Sequence, residues 1–420
     1  YQGAVNGAFL PSYSLGADMA NKDLKWETTI TRNIGVDFGF FNSRLTGTID
    51  AYWNTTKDLL MKTAIPGITG FTSTYANVGQ TSNKGIEIAL QGVLVKTRDW
   101  NVTAGFNINF NRGKVDKLAD NVTGLYGTEW ATSSTFPKSD YVLKEGRPVG
   151  LVRGLTADGF YTTDDFTYEN GVYTLKEGVA DVSSAVFPNY HLHNGMNERP
   201  AGQLAYPGMA KFKDLNDDGI INDDDVDVIG DMTPVHTGGF NINATYKNFD
   251  LGLYFNWSYG NEIYNVNKLA ALYGYKEGAV YENKLSIVKD CYKIYDVVNG
   301  ELVALTTPEQ LNAANANAKL PLAYSENGYV STLGIEDGSY LRLNTLTLGY
   351  TLPKSMLQKA GISNLRVYGS IYNVFTITGY SGIDAEVSTS TSTKTYPQLG
   401  MDWGTYPRAR SFVLGVNLSF

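Results

Sequence analysis

The sequence predicts an all-β fold, a transmembrane antiparallel β-barrel. Three observations predict it: strands with strict two-residue alternation, connections that alternate between very short and very long, and a composition rich in Gly and Tyr but poor in charge. Among 420 residues there are 44 Gly and 29 Tyr, and aromatics reach 13% against 18% charged residues, which suits many turns and a surface carrying few ions. The mean hydropathy of -0.21 resembles that of a soluble protein. In a barrel strand, however, lipid-facing apolar residues alternate with polar ones and the average is mildly hydrophilic. No apolar run approaches the ~18 residues of a membrane-spanning helix, so if the chain spans a membrane it must do so as strands.

The elements follow in order. Ile30, Ile34, Val36, Phe38 and Phe40 alternate with Thr29, Thr31, Asn33, Gly35 and Asp37, and Leu45, Gly47, Ile49, Ala51 and Trp53 interleave with Thr46, Thr48, Asp50, Tyr52 and Asn54. A third strand runs near 85–95. In the fourth, Val102, Ala104, Phe106, Ile108 and Phe110 form one face, and Asn101, Thr103, Asn107 and Asn109 form the other. A soluble sandwich rarely lines a core with asparagines, so this second face is expected to look into a lumen. Further strands are expected near 238–247, 250–260, 339–352 and 364–376, and the last ten residues alternate Phe412, Leu414, Val416, Leu418 and Phe420 with small or polar partners. That makes nine strands. Short connections fall at Asn42-Ser43, near Thr97-Arg98-Asp99 and at Asn248, with a longer one from Pro353 to Ser363; long ones cover 58–84, 112–237, 261–338 and 378–409. Short periplasmic turns and long extracellular loops are the outer-membrane pattern, and they place the C-terminus in the periplasm. Trp53, Trp100, Phe249, Trp257 and Phe420 sit at strand ends and suit an interfacial girdle.

A net charge of -8 offers no basic stripe for phosphate backbones, so nucleic acid is not an expected partner. Cys291 is the single cysteine and forms no internal disulfide. No leader precedes Tyr1, and the first strand reads as descending, so earlier strands are expected upstream of this segment.

Asp23-Leu24-Lys25-Trp26-Glu27-Thr28, Asn33-Ile34-Gly35-Val36-Asp37-Phe38-Gly39, Arg44-Leu45-Thr46-Gly47-Thr48-Ile49-Asp50 and Lys57-Asp58-Leu59-Leu60 are words that resemble the SusC/RagA-type TonB-dependent transporters. Asn83-Lys84-Gly85-Ile86-Glu87, Glu145-Gly146-Arg147-Pro148-Val149-Gly150, Ser339-Tyr340-Leu341-Arg342-Leu343 and Tyr380-Ser381-Gly382-Ile383-Asp384 follow in family order. Ala385 stands where the family often has proline, and Met209-Ala210 replaces an acidic residue after Gly208. The resemblance implies that residues 1–420 are the C-terminal part of a plugged barrel of about 22 strands, without its N-terminal plug. It also implies TonB-dependent import of oligomeric nutrients across the outer membrane, glycans before peptides, with a SusD-like surface lipoprotein as partner and with TonB acting through the missing N-terminal region. A passive porin and a secreted calcium-stabilised glycan-binding β-protein are the rival readings.

One chemical motif stands out in the 112–237 loop. Asp214 to Asp225 has the spacing of a calcium loop: oxygens at Asp214, Asn216 and Asp218, a turn glycine at Gly219, the Ile220 carbonyl, Asn222 at the ninth position and Asp225 at the twelfth, where Glu is usual. A structural Ca ion is therefore expected, pinning a loop with little core of its own. His191 and His193 with Glu198 lack a convincing further ligand and carry no metal assignment. No Gly-x-Ser-x-Gly elbow occurs and no residue is assigned to catalysis; an enzyme is not expected. Loop aromatics, above all Tyr126, Trp130, Tyr380 and Trp403, and also Tyr161, Tyr190, Tyr206, Tyr273, Tyr275 and Tyr406, are candidates for stacking on substrate.

Overall fold

The computed structural model describes residues 18–118, 123–133, 135–187, 199–272, 284–323, 328–357, 361–388 and 398–420, and the backbone alone at 2–5 and 8–11 and at 61, 63 and 64. Nine strands form one sheet: β1 (Thr28–Phe40), β2 (Leu45–Lys57), β3 (Gly79–Lys96), β4 (Trp100–Leu118), β5 (His236–Tyr246), β6 (Phe249–Tyr259), β7 (Tyr340–Thr351), β8 (Asn364–Thr378) and β9 (Ser411–Ser419). They hydrogen-bond in chain order, each antiparallel to the next. No helix among the described residues is long and apolar enough to cross a membrane.

All nine expected strands are present, but β3 and β4 run past their expected ends, pairing as far as Gly79 with Leu118. Their apolar alternation stops at Ile86 and Phe110, above which the same face carries Lys84, Ser82, Arg112 and Lys114. Side-chain periodicity ends there while the backbone ladder continues. The connection expected at 112–237 accordingly begins after Leu118 and ends before His236.

Because strand side chains alternate and the pairing is in register, the two faces stay separate across the whole sheet. One face collects Ile49, Ile88, Ile108 and Gly238, and in the next row Leu90, Phe106, Phe240 and Phe255, whose last two rings stack at 4.3 Å. The other collects Asp50, Glu87, Asn109 and Thr237, and, one pair further down, Ala89, Asn107, Gly239 and Asn256. Short turns join strands at one end; between β1 and β2, Phe41, Asn42 and Ser43 take left-handed φ values of 55°, 56° and 62°. Lys354–Leu357 makes the helical turn expected between β7 and β8. Rings cluster at this end, with Trp100 against Tyr246 at 4.4 Å and Phe249 against Tyr350 at 4.7 Å.

At the other end the long connections fold on themselves and on each other. A four-stranded sheet orders Leu125–Gly127, Tyr141–Leu143, Leu151–Gly154 and Asp227–Asp231. A single core unites Leu155, Tyr161, Tyr173, Tyr206, Phe212 and Ile221 with Tyr292, Leu311 and Tyr329. This corrects the expectation of loops with little core: the apolar residues of two connections, between β4 and β5 and between β6 and β7, are pooled into one interior.

Lysine near the midplane of the lipid face of a barrel costs about 2–4 kcal/mol, whereas a lysine on a hydrated face keeps its water. Phe106→Lys in the full-length receptor is therefore expected to reduce heat-modifiable folded barrel in isolated outer membranes, and Asn107→Lys, one residue away, to leave it unchanged. Equal tolerance or the reverse order contradicts the assignment of faces.

Candidate functional site

The polar face of the sheet is a continuous field of amides, hydroxyls and a few charges. Tyr52 donates to Asn111 Oδ1 at 2.9 Å, Asn243 Nδ2 to Asn241 Oδ1 at 3.0 Å, and Thr347 and Ser370 share a hydrogen bond at 2.8 Å. Gly105 lets the neighbouring amides close in: a Cβ there would stand 2.6 Å from Asn241 Nδ2 and 2.9 Å from Gln91 Oε1. A recess of about 480 Å³ opens on this face beside Asp37, Thr48, Gln91, Asn107 and Asn241. Near the short-turn end, the Arg366 guanidinium spans β8 to β6, donating through Nε to Asp250 Oδ1 at 2.8 Å and through Nη2 to the other oxygen. Asn101, Thr103, Asn107 and Asn109 all lie on this polar face, and Val102, Ala104, Phe106 and Ile108 on the opposite one.

The connection after β8 folds back onto the polar face of β7. Arg342, 2% exposed, is ion-paired with Asp384 and lies 3.5 Å from Glu386, while Arg408 reaches the same two carboxylates at 3.4 and 3.0 Å. Next to it Tyr380 is 6% exposed, packs with Ile263 and Ala385, and donates its hydroxyl to Asp402 at 2.7 Å. Burial and that hydrogen bond push the Tyr380 phenol well above its ordinary range. Glu336 receives the N–H and hydroxyl of Ser381 and pairs with Lys268. Burial raises its carboxyl, but these partners outweigh it and leave the pKa lowered.

The candidate stacking residues divide. Tyr380 is a core residue with its hydroxyl committed, and Tyr161 and Tyr206 are fully buried in the loop core, so these three are corrected to packing roles. Trp130 is half-buried, edge-on to Tyr264 at 6.4 Å. Tyr126, Trp403 and Tyr406 remain exposed, and Tyr126 carries the Arg153 guanidinium at 4.8 Å from its ring centre. Tyr190, Tyr273 and Tyr275, and the His191, His193 and Glu198 group, lie outside the described residues.

The 214–225 segment closes tightly. Asp214 accepts the N–H groups of Asp218 at 3.3 Å and Gly219 at 2.7 Å, Asn216 Oδ1 accepts that of Asp218 at 3.1 Å, and Asp218 accepts that of Ile220 at 2.9 Å. Asp217 and Gly219 take left-handed φ of 57° and 85°. Asp225 is fully buried and its two oxygens accept from Leu215 at 2.7 Å and Asn222 at 2.8 Å. Asn222 Nδ2 donates to the Ile220 carbonyl at 3.2 Å. Among the described residues no three His, Cys, Asp or Glu side chains gather as an ion site. A hard cation here would draw on mixed oxygens, the carboxylates of Asp214 and Asp218, the Asn216 amide and the Ile220 carbonyl, which is the donor chemistry calcium takes.

Two residues of the site escaped the sequence reading. Arg342 stands within a quoted family word, and as the one charged residue of β7 it was the available signal. Asp140 gave none. It is fully buried and accepts the N–H groups of Glu129, Trp130 and Ala131 at 2.8–3.0 Å, and desolvation nonetheless leaves its pKa raised.

A meander with one greasy and one polar face, capped at a single end by folded loops, is the wall of a membrane β-barrel. The chain belongs to the family described as TonB dependent receptor-like, beta-barrel, whose model matches residues 3–374. It is 30% identical over 421 aligned residues to TonB-dependent receptor P3 of Formosa agariphila, covering 99% of this chain and 36% of that receptor. It is 29% identical to TonB-dependent receptor SusC of Bacteroides thetaiotaomicron, covering 95% of this chain and 32% of SusC. The fold is also that of the RagAB peptide importer in its closed-closed state, with a TM-score of 0.69 at 24% identity, covering all of this chain and 38% of the importer chain. The chain thus spans between 32% and 38% of the length of these proteins.

Removing one partner from a buried ion pair costs about 3–5 kcal/mol, because the other charge is left without compensation. Asp384→Ala in the full-length receptor is expected to release the 380–388 segment from β7, seen as faster amide exchange there with the barrel strands unaffected. Unchanged protection of 380–388 refutes the role of the Arg342–Asp384 pair in holding the segment on β7.

Proposed function

We propose that this chain is the C-terminal barrel wall and loop cap of an outer-membrane importer that is driven by TonB and takes up oligomeric nutrients. The observation that carries the reading is the unbroken polar face over nine strands with folded loops closing one end. Such a face suits the lumen of a plugged barrel, with Asn101, Thr103, Asn107 and Asn109 exchanging hydrogen bonds with a hydrated solute. The loop end lies outside the cell, where a SusD-like lipoprotein seats. Ser419 pairs with Asn364 at the short-turn end, which supports a periplasmic C-terminus.

Glycans are the proposed substrate class, with Tyr126, Trp130 and Trp403 offering ring faces to sugars. A peptide substrate is the second reading, favoured by the peptide-importing function named for RagAB. Uptake of fluorescent oligosaccharides and of fluorescent oligopeptides by cells expressing the full-length receptor separates the two. Oligosaccharide uptake is expected to vanish when the TonB complex is deleted. Persistent uptake points to a passive porin, and peptide uptake alone to the second reading.

Calcium is proposed at Asp214, Asn216, Asp218, Ile220 and Asn222, with Asp225 holding the loop closed from behind and keeping lone pairs for the ion. Its role is structural: it offsets the repulsion of the exposed carboxylates at the rim of the loop core. Chelation of the full-length receptor is expected to accelerate amide exchange at 214–226 and to leave the barrel strands unchanged. Equal protection with and without chelator removes the calcium assignment.

A further inference from the structure

The greasy face ends abruptly at one row of residues. On β2, β3 and β4 the row Ala51, Ile86 and Phe110 is apolar, and the next toward the loops is Trp53, Lys84 and Arg112, with Arg32 of β1 directly opposite Trp53. One row further stand Thr55, Ser82 and Lys114. Adjacent strands lie ~4.8 Å apart, so Arg32, Trp53, Lys84 and Arg112 make a band only about 15 Å wide.

This arrangement is unfavourable as it stands. Lys84 and Arg112 are directly opposite on neighbouring strands, and like charges so placed repel. Neither Arg32 nor Lys84 has a carboxylate partner among the described residues. Arg112 is held toward the recess by the carbonyls of Pro234 and Val235 at 2.9 and 3.1 Å. The acids nearby are Asp116, paired with Lys114 at 3.2 Å, and Asp231, which accepts the Thr233 N–H at 2.9 Å. Three cations, Arg32, Lys84 and Arg112, are therefore left without a carboxylate partner among the described residues, while Lys114 is paired with Asp116. Trp53, Lys84, Arg112 and Lys114 line a recess of about 590 Å³, which Pro148, Thr233 and Val235 bound from the loop side.

We infer that this band is a binding site for the phosphate of an anionic lipid in the outer leaflet, with the acyl chains lying along Ile86, Phe110 and their neighbours. The site looks away from the polar face, at the height where hydrocarbon gives way to headgroups. An anion there neutralises the Lys84–Arg112 repulsion, and Trp53 packs at the same boundary, as indoles do at membrane interfaces. A free phosphate would satisfy the charges but leave the adjoining apolar surface unused, so the lipid is the occupant. The inference rests on the outer-membrane reading of the barrel and is independent of what the lumen carries.

The test uses the full-length receptor, first shown to be heat-modifiable so that barrel formation is established separately. Native mass spectrometry then follows retention of phosphatidylglycerol and of an uncharged diacyl glycolipid with the same chains. Each cation facing an anionic surface is worth about fivefold in affinity. Lys84→Gln is expected to weaken phosphatidylglycerol retention about fivefold, Lys84→Gln with Arg32→Gln about 25-fold, and neither to change glycolipid retention. Lys213→Gln, in the loops, is expected to change neither. Equal phosphatidylglycerol retention by the variants and the parent overturns the site. Displacement of the lipid by inorganic phosphate at an equal concentration overturns the lipid as its occupant.

Discussion

Hydrocarbon offers no hydrogen bonds, and every N–H and C=O inside a membrane must find its partner within the protein. The nine-stranded antiparallel ladder is the answer this chain gives, and most other features depend on it. Once the ladder is in register, side chains divide between two faces without further instruction, because a slip of one residue would exchange Phe106 and Asn107 between the apolar and the polar face. The shortness of the turns at one end follows as well. Antiparallel neighbours need only a few residues to reverse, whereas the other end is free to carry more than a hundred.

The loops obey a different economy. Water surrounds them, so they are held by a conventional core, by buried tyrosines whose rings meet edge to face, such as Tyr173 and Tyr206 at 5.3 Å, and by ion pairs. Arg342 joins the two regimes. It springs from a barrel strand yet finds its carboxylate in a loop. A guanidinium buried at that point ties the position of the 380–388 segment to the wall itself.

The strands were legible in the sequence because period-two alternation is a local signal, and all nine followed from it. Their extensions beyond Ile86 and Phe110 were not, since Lys84 and Arg112 interrupt the hydrophobic rhythm while leaving the backbone pairing intact. The acidic loop announced itself through spacing and a glycine, and its left-handed turn at Gly219 agrees with that spacing. The fate of the aromatics was hidden. Nothing local distinguishes Tyr126, left exposed, from Tyr161 and Tyr206, because burial there is decided by residues of another connection, such as Tyr292 and Leu311. Asp140 was hidden for another reason: its partners Glu129, Trp130 and Ala131 are near in sequence, but only the folded loop turns their three backbone N–H groups toward it.

The shared interior of the two largest connections has a consequence for how such a protein diversifies. Barrel loops are commonly pictured as independent appendages that can be exchanged one at a time to alter specificity. Here Leu311 and Tyr329 of one connection fill the same interior as Tyr161 and Ile221 of the other. Grafting either alone onto a different barrel would open a hole in the donor and leave an uncovered apolar surface on the recipient. The structural module is the pair: an exchange that keeps this interior filled replaces both connections together or alters only their exposed rim.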